Sequence, residues 1–156
     1  MKKIIKSSWA SPLIWVALCT ILFSFSVRPG AHHFQVYLDD KMVLEQYASD
    51  KMMAPKLPLE SSANQLVVKY SECGRTVTGR AITIKDEKNN ILKEWKFEGE
   101  TSGYKDGMSC KVKDIFALKQ NGSNTLKLFY SSKEFPEGQQ VALLVLNGDG
   151  KTASSK

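Results

Sequence analysis

The sequence predicts an all-β fold: an antiparallel β-sandwich, loosely immunoglobulin-like, of about seven short strands with one short helix, after an N-terminal signal peptide. Three observations carry this. Short stretches alternate apolar and polar residues, runs of turn-forming residues separate them, and one continuous apolar run follows a basic start. A chain of 156 residues has room for one core and not for two.

Met1 to Lys6 is a basic lead-in, and Leu13 to Phe23 is unbroken apolar sequence. Ser24-Phe25-Ser26 then places small residues where a signal peptidase reads, so residues 1–30 are expected to be a signal peptide. The alternative is an uncleaved N-terminal anchor, because Ser11 to Val27 nears the lower length limit of a membrane span. Ala31 offers a less favourable cut, with Pro29 at its third upstream position. Leu18 ahead of Cys19 argues against lipidation, which wants a small residue there. The expected location is periplasmic or secreted, with membrane contact only through a retained leader.

Phe34, Val36 and Leu38 alternate with Gln35 and Tyr37, then Asp39-Asp40-Lys41 turns the chain into Met42–Gln46, a first hairpin. Leu66–Tyr70 is a third strand. Ala81–Lys85 and Ile91–Phe97 flank the turn formers Asp86–Asn90, a second hairpin. Val112, Ile115, Phe116 and Lys119 have helical spacing, and Asn121-Gly122 can stop a helix, so 112–120 is expected to be helical. Asn121-Gly122-Ser123 also spells a glycosylation sequon, and the turn reading is preferred. Thr125–Tyr130 alternates, while Gln140–Leu146 is nearly all apolar, as in a strand deep in a sheet. The sandwich domain is thus expected over residues 31–147, with a flexible tail at 148–156.

Removal of the leader leaves Cys73 and Cys110, an even count in an exported chain, which predicts one disulfide. In the chain-entropy model such a loop closure stabilises by about 4 kcal/mol. The rival is a reactive thiol at Cys73 beside Arg75. An antibody-type domain would need a wider cysteine spacing, with a tryptophan soon after the first; Trp95 lies nearer the second.

Charge does not point to nucleic acid. The formal net charge is +6, but residues 1–30 hold Lys2, Lys3, Lys6 and Arg28 and no acid, leaving 18 bases against 16 acids after them. Lys111, Lys113, Lys119, Lys127 and Lys133 are interleaved with Asp114 and Glu134, as on a solvated face.

Candidate ligand chemistry sits in two places. Glu98 to Gly107 is a long polar loop in which Tyr104, flanked by Glu100 and Asp106, could stack on a sugar or a peptide side chain. His32-His33 holds every histidine of the chain and is the metal alternative, for Cu(II) through a terminal amine, with methionines such as Met42 and Met108 as soft donors for Cu(I). Cleavage after Ser26 puts that amine too far away, and Pro29 lacks the amide proton that a chelate must displace. No cofactor is expected. Ser49–Ser62 is a second loop, in which Pro55 and Pro58 alternatively mark an edge strand.

Asp39-Asp40 and Glu134/Glu137 are the obvious carboxylate pairs, both in turn-like contexts where acids stay solvated. Asn147–Gly150 is an incomplete calcium loop. No Cys-x-x-Cys, nucleophile-elbow, zinc-protease, dinucleotide or P-loop motif is present. The expected function is a non-enzymatic binding or assembly module of the cell envelope, meeting an envelope protein or glycan. The alternatives are an envelope-polymer hydrolase using loop carboxylates, or copper binding through His32 and His33.

Overall fold

The computed structural model describes residues 32–47, 53–72, 75–119 and 123–148. The leader, Cys73, Asn121-Gly122 and most of the expected tail lie outside them. Among the described residues, no helix is long and apolar enough to cross a membrane.

The described chain is a two-sheet β-sandwich. The strands are β1 (His32–Leu38), β2 (Lys41–Tyr47), β3 (Lys56–Glu60), β4 (Gln65–Glu72), β5 (Thr76–Val77), β6 (Arg80–Lys85), β7 (Ile91–Phe97), β8 (Thr101–Ser102), β9 (Met108–Lys111), β10 (Thr125–Ser131) and β11 (Gln139–Asn147). One helix, α1 (Val112–Phe116), follows β9. The first sheet runs β2-β1-β4-β9, the second runs β3-β11-β10-β6-β7, and β5-β8 forms a small separate ribbon.

Alternation builds the core. Phe34, Val36, Leu66, Val68, Tyr70, Met108 and Cys110 of the first sheet are buried, as are Ile82, Ile84, Leu126, Leu128 and Tyr130 of the second. The odd-numbered residues His33, Gln35 and Tyr37 then necessarily occupy the outer face of β1. Phe34 meets Tyr70 and Tyr130 at ring-centroid distances of 5.1 and 5.4 Å, and the two tyrosines stack at 4.3 Å. From the edge strand β2, Gln46 Nε2 crosses to donate to the Val141 carbonyl at 2.9 Å. At α1, Val112 and Ile115 are buried as their spacing predicted, but the α-helix stops at Phe116, short of 120.

Three differences from the sequence reading have physical reasons. First, Lys56–Glu60 is a strand rather than only loop, with Leu57 and Leu59 buried and Pro58 exposed. It lies at the sheet edge, where a residue without N–H is tolerated. Second, β3 pairs with β11 in parallel, so the second sheet is mixed. Third, the expected Cys73–Cys110 bond is not formed: Cys110 is a free, buried thiol. On β4, Leu66 faces Cys110 while Glu72, the last described residue before position 73, faces His32. Six residues of strand span about 20 Å. A disulfide needs Cα atoms within about 7 Å, and one peptide step covers only about 3.8 Å.

Gly138 sits at φ +65°, and a Cβ there would lie 2.7 Å from the Tyr130 carbonyl oxygen. Both the left-handed backbone and the fixed obstacle oppose a side chain. Gly138→Ala is expected to cost about 1–3 kcal/mol, read as a lower urea midpoint with unchanged slope.

Candidate functional site

The histidines and the Tyr104 loop, far apart in sequence, meet at one end of the sandwich. There β1 begins, β4 and β10 end, and β6 begins. Because His32 and His33 are successive strand residues, they take opposite faces of the sheet. His32 faces inward, with Nδ1 against the Tyr70 hydroxyl and its ring stacked on Phe135 at 5.0 Å. His33 faces outward and is nevertheless buried, because Tyr104 and Tyr47 close over it. The two imidazoles therefore do not converge on one ion. Among the described residues, no group of three or more His, Cys, Asp or Glu side chains could hold a metal. The terminal amine chelate would need residues outside the described ones.

On the outer face of the first sheet, polar side chains join into a continuous ribbon. Tyr37 OH donates to Gln35 Oε1 at 3.1 Å, and Gln35 Nε2 donates to Glu45 Oε1 at 3.0 Å. His33 Nε2 approaches the same Glu45 oxygen at 3.3 Å, off the line of a full hydrogen bond. His33 Nδ1 meets the Tyr104 hydroxyl. Burial raises the Tyr104 phenol above its ordinary pKa, against a lowering hydrogen bond with Ser71. The Tyr47 ring lies 4.2 Å from the His33 ring, and Lys69 Nζ stands 4.8 Å from the Tyr37 ring centre.

Behind the ribbon, charged residues line the inner mouth of the sandwich. Glu72 is buried, pairs with Arg75 Nη1 at 3.0 Å and accepts from Tyr70 OH at 3.4 Å. Burial, then the neighbouring Glu72, drives the Tyr70 phenol far above its ordinary pKa. Arg80 enters from the facing sheet and donates Nη1 to the Asp106 carbonyl at 2.9 Å. Asp106 thus serves the site through its backbone.

Glu100 is not part of the ribbon. It lines a groove of about 630 Å³ near the start of β6, with Arg80, Glu94, Lys96, Glu98 and Lys133. Glu94, Glu98 and Glu100 are all exposed, so no acid there is desolvated in the way general acid chemistry needs. The other expected carboxylate pairs are structural in their surroundings. Asp39 Oδ1 accepts the Asn64 and Gln65 N–H groups, each at 3.0 Å. Glu134 accepts the Thr78 N–H at 3.0 Å and its hydroxyl at 2.9 Å. Partial burial works against ionisation of Glu134, but the bonds from Thr78, from its own backbone N–H and from Ser132 together outweigh it and hold the carboxyl below its ordinary range. Glu137 is exposed beside it.

Sequence reasoning named Tyr104, His32 and His33 but missed Tyr37, Gln35, Glu45 and Tyr47. The signal was present: in a hairpin, His33 faces Tyr47 and Gln35 faces Glu45. No known protein-family model matches this chain, and no curated protein matches it closely enough to count as a relative.

Proposed function

We propose that the chain is an exported, non-enzymatic binding module of the cell envelope, periplasmic or secreted, that meets its partner on the outer face of the first sheet. The observation that supports this is the ribbon Tyr37–Gln35–Glu45–His33–Tyr104, with Tyr47 standing exposed upon it. Side chains held in place by one another lose little freedom on binding, so they favour recognition. The hydrolase alternative has less behind it. The groove acids are exposed, and the buried Glu72 is committed to Arg75 and Tyr70.

The test uses the full chain, secreted through its own leader and tagged at the C-terminus, sedimented with isolated cell envelope. Wild-type protein is expected to be retained. Tyr47→Ala is expected to weaken retention at least about tenfold, as for an aromatic anchor at an interface. Steady release of soluble polymer fragments would move the assignment to the hydrolase.

A further inference from the structure

Resting on that binding function, we infer that the ligand of this face is a glycan: a neutral or N-acetylated sugar chain lying along β1 from Tyr47 to Tyr37. Sugar recognition asks for two things together. Aromatic planes must cover the C–H faces of the rings, and fixed planar polar groups must take the hydroxyls between them. Both are present on this face.

Tyr47 is 66% exposed and rests against His33, which fixes the plane of its ring. Tyr37 lies four residues along β1 from His33, a strand length of roughly 13 Å; the Lys69 ammonium, 4.8 Å from its ring centre, is the end of a flexible side chain that must swing aside for a sugar to take that ring face. Between them stand the Gln35 amide and the Glu45 carboxylate, locked to each other at 3.0 Å. Glu45 accepts from Gln35 on one oxygen, Oε1, with His33 Nε2 nearby at 3.3 Å, and its side chain is 47% exposed. A carboxylate has acceptor sites for about four donors, so capacity remains for sugar hydroxyls. Lys69 supplies donors at the Tyr37 end.

Other occupants fit less well. A peptide adding itself as a strand beside the ribbon would have to pair with β2, since the sheet's other edge, β9, is separated from β1 by β4. The β1–β2 register shifts at Val36/Tyr37, with Leu44 and Met42 as their partners and Val43 the extra residue between. Such a bulge twists an edge away from strand addition. A polyanion would meet the Glu45 carboxylate at the centre of the face, with repulsion that Lys69 offsets only at one end.

The experiment is an array of short neutral and N-acetylated oligosaccharides, probed with the same tagged chain used for envelope sedimentation. Wild-type protein is expected to bind members of the array. Tyr47→Ala and Tyr37→Ala are each expected to weaken that binding at least about tenfold. Lys96→Ala, in the groove on the other sheet, is expected to leave it unchanged. Circular dichroism establishes that each variant is folded, and Tyr47→Phe, which keeps the ring, is expected to keep binding. Glycan binding indifferent to Tyr47 and Tyr37 would overturn the site. No array binding, with Tyr47-dependent envelope retention intact, would overturn the glycan while leaving the binding module and favouring a protein partner. Loss of both would overturn both.

Discussion

Phe34→Ala is expected to destabilise the domain by about 3–5 kcal/mol, against a typical total of about 5–15 kcal/mol. Phe34 has no solvent exposure and stands between rings from both sheets, Tyr70 at 5.1 Å and Tyr130 at 5.4 Å. Neither tyrosine can move in to fill the space without giving up its stack on the other, 4.3 Å away. The cavity would therefore persist, and the loss would approach the upper end for a phenylalanine. Gln35→Ala, one residue on but on the outer face, gives up its bonds to Glu45 and Tyr37 and is expected to cost only about 0.5–1.5 kcal/mol. Urea melts of the two variants read the face assignment of β1 directly. Equal losses at both positions would contradict it.

The second large effect is chemical protection of Cys110. Burial pushes its thiol up to about 12; Lys93 partly opposes this and Asp114 adds to it. Against an ordinary thiol near 9, that lowers the thiolate fraction at neutral pH roughly a thousandfold, and only the thiolate attacks an alkylating reagent. The side chain is also 2% exposed. Iodoacetamide is expected to leave Cys110 unmodified in the native protein and to label it promptly in strong denaturant. Peptide mapping under non-reducing conditions is the companion measurement. A recovered peptide joining Cys110 to Cys73 would contradict the β4–β9 register, which sets Cys110 opposite Leu66.

Strong alternation made most of the fold readable. The first hairpin, the third strand, the second hairpin and the last two long strands all lie where apolar and polar residues trade places or apolar residues run on. What escaped had weaker local signals. Lys56-Leu57-Pro58-Leu59-Glu60 does alternate, but it sits in the long stretch Ser49–Ser62 that reads first as loop, with its prolines marking an edge strand only as the alternative; the partnership with β11 makes it a strand. Met108–Lys111 is short and follows a loop rich in turn formers, while β5 and β8 are two residues each and exist because they pair with one another. The disulfide expectation came from counting cysteines, which carries no information on register. The site was half readable for a similar reason. Tyr104 and His33 were each conspicuous as residue types, yet 71 positions separate them, and their meeting depends on how the loop after β8 crosses the first sheet. Glu45 and Tyr47 looked ordinary until hairpin register set them beside Gln35 and His33.

The parallel pairing of β3 with β11 also bears on when the fold can form. Leu57 lies beside Leu144 and Leu59 beside Leu146, partners more than eighty residues apart in the sequence. The second sheet holds its last strand in the interior, between β3 and β10, rather than at an edge. Strands made earlier must therefore wait, with Leu57, Leu59, Leu126 and Leu128 lacking their neighbour, until Gln139–Asn147 arrives. Such long-range closure slows folding relative to chains built from local contacts. For a chain made from its N-terminus, it also means that the second sheet cannot close until Gln139–Asn147 has been synthesised.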